Sequence, residues 1–250
     1  MDDIYEADRS LKGKLRRRIA RIRARRAAKA PAGPMISFAF DDVPVSAATL
    51  GAEILESRGL KGSYYVAAGM AGVDSPMGRF IDELDVKRLA EAGHEIGCHT
   101  YSHLDCGRAG VSLVLDDVER NRAALTALGA PAPITFAYPY GEVEERAKRA
   151  LSERFALMRA LHHGMVTEGS DLNQTPCVGI EGPNGEAAAW RWLNRAKGRP
   201  AWLILYTHDV AETPSPWGCT PAALAGLADT AIAEGFEVVT LAEGARKLQS

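Results

Sequence analysis

From Met35 onward the chain alternates short apolar runs with longer stretches of helical spacing. Met35-Ile36-Ser37-Phe38-Ala39-Phe40 is an almost unbroken apolar run of strand length, the pattern of a strand buried on both faces. A helix over Ser46 to Ser57 follows and stops near Gly59. Gly62 to Ala67 predicts the next strand. A Gly-rich loop then leads to a helix from about Asp85 to Ala92, ended by Gly93, and a short strand Glu95 to Cys98. The alternation continues with a helix from about Ser112 to Leu128, a strand Ile134 to Tyr138, a helix from about Val143 to Glu153, and a strand Phe155 to Ala160. After a loop rich in Gly, Asn and Pro come a helix around Gly185 to Ala196, a strand Trp202 to Tyr206, a helix from about Pro221 to Glu234, and a last strand Phe236 to Thr240. This order predicts a parallel α/β sheet of about seven strands covered by helices. An open doubly wound sheet and a closed or incomplete (β/α) barrel both satisfy it.

The first 34 residues are patterned differently. Leu11, Leu15, Ile19 and Ile22 form a thin apolar stripe on a basic helix, and between Leu11 and Ala30 no acid interrupts the lysines and arginines. Pro31-Ala32-Gly33-Pro34 ends that helix, which divides the chain into a basic extension, 1–34, and a barrel domain, 35–250. The stripe fits three uses: docking on the body or on a second copy in a homo-oligomer, lying on the anionic inner face of a membrane through residues 11–30, or binding nucleic acid. The run has no interleaved aromatic residues and the rest of the chain is acidic, so no nucleic-acid partner is expected.

Composition adds limits. With 250 residues, 46% of them hydrophobic, and a net charge of -2, the chain can bury a full core. No run approaches the ~18 consecutive apolar residues of a membrane span. The opening Asp2-Asp3-Ile4-Tyr5-Glu6 is polar and unlike a signal peptide, so a cytoplasmic location is expected. Cys98, Cys106, Cys177 and Cys219 form no Cys-x-x-Cys pair and read as reduced structural thiols.

Reactive residue types gather just past the predicted strand ends, where a parallel barrel places its chemistry. His99 and His103 stand four apart after the Glu95 to Cys98 strand; on a helical turn both imidazoles reach one metal ion. Asp41-Asp42 ends the first strand, Tyr138-Pro139-Tyr140-Gly141 follows the fourth, and Thr207-His208-Asp209 follows the sixth. A carboxylate and two histidines leave coordination positions open for water and substrate, so Asp42, His99 and His103 are read as metal ligands. Asp41 then becomes the general base and His208 the general acid. Adjacent strand residues point to opposite faces, so Asp41 and Asp42 serve one site only if the backbone turns after them, as Val43-Pro44 permits. Taken singly, an Asp pair is more often a cap or a solvated turn and a lone His a polar loop residue. Their joint placement carries the reading.

Four segments, Ser37-Phe38-Ala39-Phe40-Asp41-Asp42, His99-Thr100-Tyr101-Ser102-His103, Phe136-Ala137-Tyr138-Pro139-Tyr140-Gly141 and Leu205-Tyr206-Thr207-His208-Asp209, resemble in this order the motifs of polysaccharide deacetylases of carbohydrate esterase family 4, the NodB-homology type. The resemblance spans about Met35 to Ala245. It implies a distorted (β/α) barrel and metal-dependent removal of acetyl groups from N-acetylated sugars of a glycan. The implied cofactor is a divalent metal, zinc first, with cobalt, nickel or manganese as alternatives. The backbone N–H of Tyr140 would help hold the oxyanion, and Pro139, Tyr206 and a sugar-stacking Trp217 would border the substrate. One departure stands out. Ala137 occupies the place of the family arginine that pairs with the catalytic aspartate, as in some exopolysaccharide deacetylases, and Arg159 at the end of the fifth strand is the candidate replacement. The expected substrate is the precursor of an exported polysaccharide, lipid-linked, modified at the inner membrane face. An amidase acting on a small non-sugar amide and a glycan-binding relative with a weakened site are the alternatives. His94 reads as a structural hydrogen-bond former, and His162 and His163 as residues beside the site.

Overall fold

The computed structural model describes Asp8 and residues 10–249; the polar opening Asp2 to Glu6 lies outside the described residues. The sheet is built from β1 (Met35–Asp41), β2 (Ser63–Val66), β5 (Glu95–Cys98), β6 (Thr135–Ala137), β7 (Leu157–Arg159), β8 (Val178–Gly179), β9 (Trp202–Thr207) and β10 (Glu237–Val238). Two further strands, β3 (Asp74–Ser75) and β4 (Gly78–Arg79), form a separate hairpin in the Gly-rich loop. The main sheet runs in the order β7-β6-β5-β2-β1-β9-β8, all parallel, with β10 pairing to the start of β1. Its ends do not pair, so the curled sheet is an incomplete (β/α) barrel of the expected α/β class.

The period of two explains which side chains enter the barrel. Ile36, Phe38 and Phe40 of β1 join Tyr64, Leu203 and Leu205 in the outer core. That core packs under α2 (Ala52–Glu56, continuing a π turn at Ala47–Gly51), α6 (Gly185–Ala196) and α7 (Pro221–Ala233). Met35 and Ala39 point the other way, with Tyr65, Ala137, Leu157, Trp202, Ile204 and Tyr206, into the interior. Asp41 follows Ala39 in this alternation, which brings its carboxylate to the interior rim. A third cluster, including Phe136, Tyr138 and Met158, packs under α4 (Val111–Ala127) and α5 (Glu145–Leu151).

The remaining helices are α1 (Leu11–Ile22), α3 (Glu83–Glu91) and α8 (Leu241–Gln249). The pattern missed α8, although Thr240 and Glu243 form a reciprocal N-terminal pair: Thr240 N–H donates to Glu243 at 2.8 Å and Glu243 N–H to the Thr240 hydroxyl at 3.2 Å. Half-buried Glu95 and buried Ser63 accept the next two N–H groups, of Ala242 and Leu241, which fixes α8 under the barrel floor. It also missed β8, a two-residue strand too short to show a period.

The extension differs from expectation in two ways. Its helix ends at Ile22, well before Pro31, because the buried Lys148 ammonium takes the carbonyls of Ala20 at 2.6 Å and Arg23 at 3.0 Å, and Ala24 adopts a left-handed φ of 49°. The face turned to the body centres on Ala20, not on the apolar stripe: Leu11, Leu15 and Ile22 are 85%, 58% and 63% exposed. Ala20 is small enough to pack closely into the cluster under α4 and α5, and Arg16 and Arg17 beside it find the Glu142 carboxylate on the body. Among the described residues no helix is long and apolar enough to cross a membrane.

Candidate metal and catalytic site

The ends of β1, β5, β6, β7 and β9 converge on one rim. At the end of β1, Asp42 and Val43 both take left-handed backbone, φ 55° and 51°. This conformation is costly for a β-branched residue, on the order of 1–3 kcal/mol. It lets two consecutive aspartates face the same centre, since the Val43 N–H turns back onto the Asp41 carbonyl at 2.5 Å.

His99 and His103 do not lie on a helical turn. They sit in the loop after β5, where Thr100 and His103 have φ 58° and 55°. Spacing alone suggested a helix, yet this tight loop brings the rings equally close, with centroids 4.9 Å apart. Asp117 on α4 shapes the loop by accepting from the N–H of Tyr101 at 2.8 Å, the N–H of Ser102 at 3.0 Å and the Ser102 hydroxyl at 3.0 Å. Thr100 Oγ1 accepts from Leu104 N–H at 2.7 Å and closes it.

Asp42, His99 and His103 each offer a donor atom, all within 4.8 Å of one another. His103 Nε2 and His99 Nε2 lie 3.3 Å and 3.6 Å from Asp42 Oδ1. His99 Nδ1–H donates to the Ala137 carbonyl at 2.8 Å, which fixes the tautomer and leaves Nε2 as a lone pair facing Asp42. Burial, reinforced by the other imidazoles, holds His99 and His103 at about 4, so both are neutral near pH 7. Asp42 Oδ1 is buried without a hydrogen-bond partner, and burial pushes the Asp42 carboxyl up. An orphaned carboxylate oxygen facing two neutral imidazoles fits a divalent cation, whose charge would satisfy all three.

Beside this trio, Arg159 Nη2 donates to both oxygens of Asp41, reaching Oδ2 at 2.5 Å. Both residues are buried, Arg159 to 1% exposure and Asp41 to 4%. Burial alone would raise the Asp41 carboxyl; the charges of Arg159, His99 and His208 outweigh it and hold the group below its ordinary value. The guanidinium lies between the rings of Tyr65 and Tyr206, 5.2 Å and 5.0 Å from their centroids. Its position follows from register. Ala137 on β6 and Arg159 on β7 are paired across the parallel strands, so both point into the barrel at the same height. The methyl group of Ala137 is too small to occupy the space that Arg159 crosses.

His208 sits past β9. Its N–H donates to the Trp217 carbonyl at 3.1 Å, and its Nδ1 lies 3.2 Å from both that carbonyl and Glu181 Oε2. Burial pushes the imidazole down, but the Glu181 carboxylate facing Nδ1 and the charges of Asp42 and Asp41 prevail and lift it to about 9. The Tyr206 hydroxyl donates to the other Glu181 oxygen, Oε1, at 2.5 Å. Glu181, in a loop, and Asp117, beside Asp116 in a helix, carry no sequence signal that sets them apart from other carboxylates. Tyr140 breaks the short turn Pro139–Gly141 with φ 59°, and its ring meets His103 edge-on at 4.5 Å. Pro139 is buried beneath it. Trp217 enters through its backbone carbonyl. Asp209 holds its own loop by accepting from Ser215 N–H at 2.8 Å. His94 is a structural bridge, accepting from Gly62 N–H at 2.9 Å with its other nitrogen 2.8 Å from Glu56.

The molecule is thus an α/β half-barrel with a two-histidine, one-carboxylate donor set at its C-terminal rim. The chain belongs to the polysaccharide deacetylase family, whose sequence profile residues 28–155 match. It is 33% identical over 75 residues to a peptidoglycan-N-acetylglucosamine deacetylase of Bacillus cereus, a match covering 30% of this chain and 27% of that protein. Chitin deacetylase 2 of Saccharomyces cerevisiae is 32% identical over 75 residues, covering 30% of this chain and 24% of that one. The matches therefore span about a quarter of these curated relatives. Among solved structures, the peptidoglycan deacetylase PdaC from Bacillus subtilis superposes with a TM-score of 0.59 at 18% identity, covering 87% of this chain and 93% of that one. A CE4 family pseudoenzyme from Bacillus anthracis superposes at 0.61 and 15%, covering 86% and 66%. These likenesses establish the fold; chemistry has to be argued from the site.

Proposed function

We propose that the protein is a divalent-metal-dependent N-deacetylase that removes acetyl groups from N-acetylhexosamine residues of a glycan, the precursor of an exopolysaccharide. The observation that carries this reading is the meeting, at one rim, of the Asp42, His99 and His103 donors with Asp41 clamped by Arg159. Zinc is the first choice for this donor set, with cobalt, nickel or manganese as substitutes. Held by Asp42, His99 and His103, the cation supplies Lewis acidity, lowering the pKa of a water to about 7 and polarising the acetyl carbonyl.

The rest belongs to the chain. Asp41, kept ionised by Arg159, accepts the proton of the attacking water on a carboxylate oxygen. The Tyr140 backbone N–H donates to the developing oxyanion. His208, protonated at neutral pH through Glu181, passes a proton to the departing sugar nitrogen. Acetate and a free amine are the products. Pro139, Tyr206 and Trp217 border the space left for substrate.

Mass spectrometry of defined N-acetylated oligosaccharides after incubation with metal-loaded protein tests the reading. Loss of acetyl groups is expected, with turnover abolished in Asp41→Asn while metal is retained, and both lost in Asp42→Ala. Near-full activity of Asp41→Asn would sink the base assignment. The outward-facing Leu11, Leu15 and Ile22, flanked by exposed Lys12, Lys14 and Arg18, support a location at the inner membrane face. Sedimentation with anionic vesicles should weaken in Leu15→Ser/Ile22→Ser; unchanged sedimentation refutes that location.

A further inference from the structure

A groove runs between α1 and the 161–176 loop, and nothing in the reaction above uses it. It consists of two adjoining cavities of about 320 Å³ and about 170 Å³ that share Arg21, His162 and Gln174. The smaller is bounded by Tyr140 and Gly141, so the groove begins at the ring that meets His103 edge-on. The larger extends to Arg25 and His163.

The acids nearby are already matched. Glu142 is held by Arg16 and Arg17, each at 3.3 Å. Asp171 accepts from Lys148 Nζ at 2.5 Å and from the N–H groups of Arg26 and Asn173, both at 3.0 Å. Arg25 donates only to a neutral carbonyl, that of Gly169, at 2.8 Å. Arg21 has no hydrogen bond or ion pair among the described residues. Gln174 turns Oε1 to Lys148 at 3.4 Å, and its amide NH₂ has no partner among the described residues. His162 registers the excess positive field: burial, and next the Arg21 charge, hold its imidazole below the ordinary value. The walls therefore keep two uncompensated guanidinium charges, two imidazoles and an amide donor, in a space that leads from the catalytic rim.

We propose that this groove binds a phosphate group, with Arg21 and Arg25 as its charge partners and Gln174 and His163 as further donors, and that the phosphate is carried by the acetylated glycan itself. A planar guanidinium matches a phosphate through paired N–H donors, which a neutral sugar hydroxyl cannot exploit. The assignment of the phosphate to the substrate rests on the deacetylase reading. Binding of the anion does not.

Two measurements separate them. Calorimetric titration with glucose 1-phosphate should give salt-sensitive binding that is lost in Arg21→Gln and recovered in Arg21→Lys; this holds even if no deacetylation is ever seen. Acetate release from an N-acetylated oligosaccharide with and without a terminal 1-phosphate should give a KM about tenfold lower for the phosphorylated form at similar kcat, the size of one charge-assisted contact. In Arg21→Gln the ratio of the two KM values should fall to about one. Equal KM values in the unaltered protein, or absence of glucose 1-phosphate binding, overturn the proposal. So does a result in which Arg21→Gln weakens binding to phosphatidylglycerol vesicles while glucose 1-phosphate is ignored, since Arg21 would then serve a lipid surface.

Discussion

Arg159→Ala is the substitution that most directly probes how Asp41, the proposed base, is held. In the native chain Arg159 Nη2 bonds both Asp41 oxygens inside the barrel, and no other cation is hydrogen-bonded to that carboxylate among the described residues. Removing one partner of a buried pair leaves the other charged and desolvated, at a cost of ~3–5 kcal/mol. The cavity between Tyr65 and Tyr206 adds to that. Domains of this kind are stable by ~5–15 kcal/mol, so the variant should fold but with a much reduced denaturation midpoint. Its kcat should drop roughly 10²- to 10⁴-fold, the contribution of a positioned base. Stability and kcat would fall together in any disruptive variant, so relocation provides the control. Because Ala137 and Arg159 are paired across β6 and β7, the double variant Ala137→Arg/Arg159→Ala returns a guanidinium to the same height from the neighbouring strand. Urea titration and acetate release should both recover most of what the single change removed. If Arg159→Ala alone keeps its activity within about twofold, Asp41 needs no cationic partner. A double variant no better than the single one refutes the equivalence of the two strand positions.

Glu181→Gln removes the group that lifts His208 to about 9. In the proposed reaction His208 works protonated, so turnover is present below its pKa and lost above it; the alkaline limb of the kcat profile should move to lower pH, and an unshifted limb counts against Glu181. Asp117→Ala frees the N–H groups of Tyr101 and Ser102, and metal affinity should weaken ~10- to 100-fold in a competition titration, while Asp117→Asn keeps part of it. Adding metal to chelator-stripped protein should raise its melting temperature, because the cation satisfies an oxygen that otherwise has no hydrogen-bond partner; in Asp42→Ala this rise should vanish.

How far the chain could be read without coordinates varied with how local the signal was. β1 and β9 announce themselves because both faces are buried, leaving Met35 to Phe40 and Trp202 to Tyr206 almost free of polar residues. The Thr240 and Glu243 spacing that starts α8 was equally local and went unread beside the last apolar run. His99 and His103 were legible as partners, but their backbone was not. A four-residue separation brings side chains together on a helix and also in a loop with left-handed Thr100 and His103. Arg159 could be suspected only because Ala137 left a vacancy. Glu181 and Asp117 reach the site through tertiary contacts alone, and a carboxylate in a loop or on a helix carries no mark of what it will face.

The same distinction applies to the extension. Pro31 to Pro34 marks a change of pattern, yet the segment before it is tied to the body. Ala28 N–H donates to Ser170 at 2.8 Å, Lys29 N–H to Leu248 at 3.0 Å, and Arg26 reaches the carbonyls of Phe155 and Ala156 at 2.8 Å and 2.9 Å. Further in, Arg16 and Arg17 grip Glu142, the residue that follows the Pro139–Gly141 turn carrying Tyr140. The extension's basic charge is therefore divided by face. Arg16, Arg17 and Arg26 hold body carboxylates and carbonyls, Arg21 and Arg25 line the groove, and Lys12, Lys14 and Arg18 remain in solvent beside Leu11 and Leu15. A helix needed only as a membrane anchor would gain nothing from two arginines clamped to the loop that holds Tyr140. Their presence ties the position of α1 to the geometry of the rim that carries Tyr140 and His103.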